Sequence, residues 1–283
     1  MKTSLLVTTY NRKDALALVL ASVARQRVLP DEVIVADDGS RADTRALLER
    51  IARDFPLPLR HGWQEDDGFR AARSRNRAIA AARGEYILLL DGDMLLHREF
   101  VADHLHAAKA GCFVQGSRVL TSAALSARLL ADGSASVRWF ARGVRRRRNA
   151  LRLPWLSEVH LRRSERNPAP RGIKTCNQGW WRHDLLALNG FDERMHGWGR
   201  EDDELAARAL NAGLHCRQLR FAGLAYHLHH PERHQHGASR NDIYLQETRD
   251  TRATRAALGL DRHLHELADT LPDLRAAARG EVG

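Results

Sequence analysis

Residues 4–9 (SLLVTT) form a short apolar run that ends in polar residues, the pattern of a buried strand. Asn11-Arg12-Lys13-Asp14 then leads into Leu16, Val19, Leu20 and Val23, which recur at helical spacing. Residues 33–36 (VIVA) are a second apolar run, closed by the strong turn signal Asp37-Asp38-Gly39-Ser40. The pattern predicts a helix over 43–53, a strand near 57–63 and a helix over 69–83 that Gly84 stops. Residues 85–90 read as a fourth strand that delivers Asp91 and Asp93 at its end. Such alternation predicts an α/β fold, with a mostly parallel sheet covered by helices on both faces. Ligands of open α/β sheets bind beyond the carboxyl ends of the strands. Asn11, Asp38, Asp91 and Asp93 all fall at such ends.

Beyond residue 100 the pattern loosens. Residues 111–120 suit a strand, while 121–170 mix alanine, arginine and proline with weak periodicity and fit either helices or a mobile insertion. The signal sharpens again at Ile173-Lys174-Thr175-Cys176. A helix is expected near 181–187, then the loop NGFDERMHGWGR, then a helix over 201–212 closed by Gly213. From about 233 the chain reads as helices broken at Pro272.

With 283 residues, 43% of them hydrophobic, the chain can bury a real core in one large domain or two small ones. Its formal charge of +10 comes mainly from arginine, clustered between Arg138 and Arg163. Such a block attracts phosphate, whether of nucleic acid, anionic lipid or a diphosphate substrate. Three cysteines without paired spacing suit reduced thiols in a cytosolic protein. The start resembles no signal peptide, and no run approaches the ~20 apolar residues of a membrane span. The expectation is a soluble or peripheral protein.

Three clusters carry candidate chemistry. Asp91-Gly92-Asp93 is either a solvated turn or a pair of carboxylates placed for a hard cation that carries phosphates. Gly197-Trp198-Gly199-Arg200 leads into Glu201-Asp202-Asp203-Glu204. One or two acids would satisfy a helix N-terminus. Four in succession repel each other, and a tryptophan between glycines offers a flat face for a sugar ring. In Tyr226-His227-Leu228-His229-His230-Pro231 the histidines three apart could jointly face an ion such as Mn²⁺ or Zn²⁺.

Together these pieces show a resemblance. TTYNR, ADDGS, DGFRAARSRNRAI, GEYILLLDGDM, NQGWWRHD, NGFDERMHGWGREDDEL and HLHHP stand in family order. The region from about Ser4 to Pro231 resembles an inverting family 2 glycosyltransferase of the GT-A fold. Its second half is similar to the galactosyltransferase-like module of bacterial chondroitin-type polymerases and animal β-1,4-galactosyltransferases. The resemblance implies a GT-A domain over 1–232, with a nucleotide-sugar half (1–120), a basic insertion (121–170) and an acceptor and metal half (171–232). A helical extension over 233–283 follows. By the same resemblance Thr8, Tyr10, Asn11 and Asp38 line a uridine pocket, and Arg70, Arg73, Asn76, Asp91 and Gly92 complete the donor site. Asp93, with His230 and His227, would hold Mn²⁺ or Mg²⁺. Trp198 and Glu201 would contact acceptor or donor sugar, and Asp202 would be the catalytic base, kept ionised by its helix N-terminus.

The implied reaction moves a hexose or N-acetylhexosamine from a UDP-sugar to a glycan or lipid-linked glycan in bacterial surface polysaccharide assembly. The implied setting is cytoplasmic, with peripheral contact to anionic inner membrane through the basic segment and no nucleic-acid partner. The chain departs from the family at Asn189-Gly190, before Phe-Asp-Glu, and at Arg200, where animal relatives carry glycine. Two alternatives fit less of the chain. A haloacid dehalogenase-type phosphatase expects Thr or Val shortly after the second aspartate, where Met94 stands. A basic nucleic-acid-binding protein explains the charge but none of the acids.

Overall fold

Successive residues of the first strand enter opposite cores. Leu5 and Val7 pack with Leu16, Leu20, Val33, Val35, Leu88 and Leu90, whereas Leu6 packs with Ile34, Ile79, Ile87 and Leu89 on the other face. The period of two, with both faces apolar, is what a central strand under helices on both sides requires. A computed structural model describes residues 1–167, 170, 172–231, 239–267 and 271–278. In it β1 (Thr3–Thr9), α1 (Lys13–Val23), β2 (Glu32–Asp37), α2 (Ala42–Ala52), β3 (Leu59–Trp63), α3 (Ala71–Ala81) and β4 (Tyr86–Asp91) alternate as the pattern predicts.

The chain continues through β5 (Met94–Leu96), α4 (Phe100–Ala107), β6 (Cys112–Gly116) and β7 (Arg118–Thr121). The single strand expected over 111–120 is therefore two. β6 belongs to the large sheet and β7 to a smaller one, so the chain must change sheets at Ser117. Then come α5 (Ala123–Ala131), β8 (Val144–Arg145), α6 (Pro154–Ser164), β9 (Asn177–Trp181), α7 (Arg182–Ala187) and α8 (Glu201–Asn211). The remaining elements are β10 (His215–Leu219), β11 (Ala225–His227), α9 (Asp242–Thr251), α10 (Asp261–Leu267) and α11 (Leu274–Ala278).

The large sheet has the order β10-β6-β9-β4-β1-β2-β3, and only β9 runs antiparallel to its neighbours. The small sheet has the order β5-β11-β7-β8; along the chain β5 follows β4 and β7 follows β6. The basic segment is built into this frame: β8 pairs with β7, and α6 packs on β10 through buried Leu161. Residues 168 and 169 of that segment, 171 and 232 of the half that follows it, and 233–238, 268–270 and 279–283 of the expected extension lie outside the described residues. The described part of the extension returns to the first half. α10 packs on α3, and α11 on α2 and β3. The Leu59 amide donates to Asp273 Oδ1 (3.0 Å), and Arg60 Nε donates to the Leu271 carbonyl (2.9 Å). These contacts cover the exposed edge of β3, which would otherwise offer unpaired backbone groups.

One buried ion pair fixes how the loop before α8 meets that helix. Arg208 donates to both oxygens of Glu204 (2.7 Å each) and to the carbonyls of Leu188 and Gly190, and Thr248 Oγ1 donates to Glu204 Oε1 (2.9 Å). Both charged side chains are fully buried. Removing one partner of such a pair strands the other charge, at a cost of about 3–5 kcal/mol. Arg208→Ala is expected to lower unfolding stability by that amount in urea titration, whereas a loss under about 1 kcal/mol would show that Glu204 finds other partners.

Candidate active site

The strand register brings distant acids to one edge. Thr8 of β1 stands opposite Asp91 of β4, and Thr9 opposite Asp37 of β2. Beyond β4 the chain turns sharply at Gly92, whose amide donates to the Thr8 carbonyl at 2.7 Å. A Cβ at this glycine would lie 2.9 Å from that oxygen, so any side chain would lift the turn off β1. The turn hands Asp93 to the small sheet. There β11 pairs with β5, setting His227 opposite Met94, and the Leu228 amide donates to the Asp93 carbonyl (2.9 Å).

Asp93 Oδ2 lies 3.6 Å from His227 Nε2, 3.2 Å from His230 Nε2 and 3.6 Å from an Arg12 nitrogen. Asp93 Oδ1 is buried and has no hydrogen-bond partner. Burial alone would raise the Asp93 pKa, but the His230 hydrogen bond and the nearby charges of His227 and Arg12 pull it below its ordinary value. Burial lowers the pKa of His227, which favours the neutral imidazole that ligates metals. One ligand atom from each of Asp93, His227 and His230 falls within 4.8 Å of the others, the only such group among the described residues. Two imidazoles, a carboxylate and an orphaned oxygen fit a divalent ion of the Mn²⁺ type. His229 stands outside the group: it is exposed, and its amide donates to Ser126 Oγ (2.8 Å).

On the opposite flank, Asn11 takes a left-handed conformation (φ 50°) and bridges to the ADDGS turn. Its amide donates to Ser40 Oγ (2.8 Å) and its Oδ1 accepts from the Arg41 amide (3.1 Å). Asp38 accepts from Gln64 Nε2 (2.6 Å) and the Arg70 amide (2.8 Å). Burial raises its pKa against the pull of these bonds. Beside it lies a cleft of about 600 Å³ with Trp63, Gln64, Arg70 and Arg73 in its wall. Tyr10 donates to Asp66, another wall residue, at 2.9 Å. Asn76 does not join them. It is fully buried, its amide nitrogen donates to the Phe191 carbonyl and Glu193 Oε1 (2.8 Å each), and its oxygen accepts from the Phe191 amide (2.8 Å). It clamps α3 to the NGFDE loop.

The residue that ties the halves together is one that sequence reasoning passed over. Arg75 is 5% exposed and reaches Thr8 Oγ1 (3.2 Å), Asp91 Oδ1 (3.3 Å) and Glu201 Oε1 (3.2 Å), with its guanidinium 5.4 Å from the Phe191 ring centre. Its signal was positional: Ala71, Arg75 and Ile79 share one face of α3, and that face is apolar apart from this one charge. Glu201 Oε2 is buried without a partner.

Asp202 follows, accepting from the Asp203 amide at 2.9 Å. The pull of the helix N-terminus towards the ionised form meets a larger opposing effect. Burial, reinforced by the charges of Glu201 and Asp203, pushes its pKa up to about 7. Burial likewise lifts Asp91 to about 6, despite Arg75. Desolvation and like charges outweigh a dipole that acts only on the first turn. Trp198 stands 55% exposed at the tip of the preceding loop. The Phe69 carbonyl accepts from the Gly197 amide (3.0 Å), and the Gly199 carbonyl accepts from Asn241 Nδ2 (2.8 Å).

The sequence pattern of glycosyl transferase family 2 matches residues 4–161, more than half of the chain. The chain belongs to glycosyl transferase family 2. Residues 162–231 match the N-terminal domain of galactosyltransferase, so both halves of the site fall within recognised patterns. The family 2 chain is 28% identical to a chondroitin synthase of Escherichia coli over 81% of its own length and 35% of the relative's. It is 28% identical to a hyaluronan synthase of Pasteurella multocida over 81% and 24%. It is 29% identical to a validoxylamine A glucosyltransferase of Streptomyces hygroscopicus subsp. limoneus over 75% and 48%. The chain thus spans between a quarter and a half of these relatives.

Two solved structures share the fold at 19% identity. Staphylococcus aureus TarS residues 1–349 with UDP-GlcNAc superimposes with a TM-score of 0.62 over 94% of this chain and 71% of that one. A Pyrobaculum calidifontis mannosyltransferase with GDP-Man and Mn²⁺ gives 0.58 over 99% and 73%. The fold is GT-A, and family membership selects the transferase over the haloacid dehalogenase-type phosphatase. Among the described residues no helix is long and apolar enough to cross a membrane.

The raised carboxyl of Asp202 has a thermodynamic signature. Its ordinary pKa is 3.8 and its folded value about 7, so between these limits the folded state binds more protons than the unfolded. Stability contributed by this group is present below pH 3.8 and is lost as pH rises towards 7. Asp202→Asn removes the loss, so the gap in melting temperature between variant and wild type should widen in the variant's favour from pH 4 to pH 8. Parallel melting profiles in metal-free buffer would refute the raised value.

Proposed function

We propose that the chain is a metal-dependent inverting transferase that moves a hexose or N-acetylhexosamine from a UDP-sugar to a glycan or lipid-linked glycan acceptor in bacterial surface polysaccharide synthesis. The observation that carries this reading is the Asp93, His227 and His230 group, with Asp93 two positions after an Asp91 that Arg75 links to Glu201, the residue before Asp202. The names of the chondroitin and hyaluronan synthases support the polysaccharide setting, and the UDP-GlcNAc held by TarS supports the donor class.

In this reading Asp93, His227 and His230 would hold a divalent ion, which would supply positive charge against the diphosphate leaving group. The chain's own groups do the rest. Thr8, Tyr10, Asn11 and Asp38 seat the nucleotide at the ends of β1 and β2, with Arg70 and Arg73 in the cleft wall. Arg75 holds Asp91 and Glu201 at fixed spacing between donor and acceptor. Asp202 takes the proton from the acceptor hydroxyl as that oxygen attacks the anomeric carbon. The bond from that carbon to the diphosphate breaks, UDP leaves, and the single displacement inverts the centre. A base with a pKa near 7 is ionised often enough at neutral pH to act and still has useful basicity. Trp198 offers its indole face to a sugar ring, and the 192–200 loop closes over the donor.

The same reading brings the enzyme to membrane-linked acceptors. Trp139 (51% exposed) and Phe140 (55%) form an edge-on pair beside Arg138, upstream of Arg145-Arg146-Arg147-Arg148, and Trp155 is 70% exposed. Exposed aromatic residues among arginines suit the interface of an anionic bilayer.

Asp202→Asn should retain UDP-sugar affinity and lose transfer by about 10²–10⁴-fold, the usual range for general base catalysis. Near-wild-type turnover would remove Asp202 from the base role. Asp93→Ala should weaken UDP binding only when Mn²⁺ is present, as read by calorimetry, and an unchanged Mn²⁺-dependent affinity would remove the ligand role. Sedimentation with phosphatidylglycerol vesicles should exceed that with phosphatidylcholine vesicles, and equal sedimentation would remove the membrane contact.

A further inference from the structure

A second pocket opens on the other side of β4 from the donor cleft. Its volume is about 300 Å³, at the lower end of the roughly 300–1,000 Å³ typical of small-molecule sites. The sheet order places the two cavities apart. The donor cleft lies by β3, and the second pocket by β6 and β10, with Asp91 between them at the end of β4. The wall of the second pocket is continuous with strands that carry the site residues. Leu90 of β4 faces Asn177 of β9 in antiparallel pairing, which brings Cys176, a wall residue, level with Asp91. Arg118, another wall residue, begins the strand that pairs with β11 and its metal-site residue His227.

The chemistry of the wall is one-sided. Arg118, Arg146, Lys174 and Arg220 line it, and no carboxylate does. Among the described residues none of the four is within salt-bridge distance of a carboxylate, and Arg118 Nε is buried without a hydrogen-bond partner. Asn149 adds an amide whose nitrogen donates to the Arg118 carbonyl (3.2 Å). Four buried or half-buried cations elsewhere in the chain, Arg75, Arg152, Arg194 and Arg208, do find acids. Four unpaired cations around one small concavity, beside a centre rich in carboxylates, make a seat for an anion.

Resting on the transferase reading, we propose that this pocket is the acceptor subsite and that it selects an acceptor carrying an anionic group next to the sugar that receives the transfer. The anion is a carboxylate of a uronic acid within the glycan or the diphosphate of a lipid carrier. In either case the arginines bind the charge and leave the sugar hydroxyl facing Asp202. The lysine of the wall acts on that acid as well, lowering the Asp202 pKa against the larger effect of burial.

The test uses the full chain saturated with UDP and Mn²⁺, whose binding is measured first. Failure at that step would count against the transferase reading itself. Two matched acceptor pairs are then titrated: methyl β-glucuronide against methyl β-glucoside, and farnesyl-diphosphate-linked against farnesyl-linked N-acetylglucosamine. The charged member of at least one pair should bind about tenfold or more tightly, the worth of one or two charge-assisted hydrogen bonds. The pair that discriminates identifies the source of the anion. The gain should vanish in the double variant Arg146→Gln/Arg220→Gln, whose altered side chains are exposed and leave the core intact. It should persist in Arg45→Gln, which removes an exposed charge on α2, far along the chain from the pocket. Equal affinities within both pairs, or a gain that survives the double variant, would overturn the proposal while leaving UDP binding untouched.

Discussion

Arg75 is a cation held out of water by partners from three distant stretches of chain: Thr8 at the end of β1, Asp91 at the end of β4 and Glu201 at the start of α8. Burying a charge costs several kcal/mol unless paired and hydrogen-bonded, so the arginine can stay inside only while all three converge. The requirement runs both ways. Asp91 and Glu201 are two carboxylates in a low-dielectric edge, and without the guanidinium between them their repulsion would drive β4 and α8 apart. The family 2 half and the galactosyltransferase-like half of the chain are thus joined at the place where chemistry is expected.

One guanidinium does not balance the edge. Asp91, Asp93, Glu201 and Asp202 face Arg75, Arg12 and two imidazoles, and burial lowers the pKa of one of these, His227. Burial, with like charges adding to it, pushes Asp91 and Asp202 up, while Asp93, with His230 against it, is pulled down. Asp93 keeps an oxygen without a partner, and so does Glu201. Native structures seldom leave such groups orphaned. A site short of positive charge, with open acceptor atoms beside two imidazoles, has the electrostatics of a cation site.

How much of this is legible along the chain depends on whether a signal is local. β1, β2 and β4 are apolar on both faces and end in turn residues, so runs of a few residues reveal them, and the alternating pattern gives the α/β class. α4 hides because Asp103 and His104 occupy its buried face. Asp103 is held there by Arg152 (2.6 Å) and the Gly223 amide, and His104 by Asn177 (2.7 Å). β10 (HCRQL) and β11 (AYH) are short and polar, and they exist because β6, β5 and β7 pair with them. The acids and histidines of the site stand out as clusters within a few residues. Arg75 and Asn76 sit side by side in a run of arginines, and their roles follow from partners more than one hundred positions away: Glu201 for the first, Phe191 and Glu193 for the second. Spacing could not separate the cleft-lining Arg70 and Arg73 from the buried pair behind them.

The distribution of charge along the sheet edge gives the arrangement its direction. From β3 to β10 the edge passes from a mixed cleft, with Arg70 and Arg73 among acids, through an acidic centre at β4, to a wall of cations by β6 and β10. In the proposed reading a donor that carries a diphosphate would be repelled by this acidic centre without a cation between them, and Asp93, His227 and His230 would hold that cation. A nucleophile on the far side is uncharged at its hydroxyl and gains nothing from acids except a proton acceptor. Cations beyond the acids offset their field at longer range, by Coulomb attraction that solvent screens only partly at a half-buried site. An edge with acids alone would hold the ion and hinder any charged acceptor. On the proposed roles, arginines behind these acids would let the acceptor's charge rest away from the groups that hold the ion and take the proton.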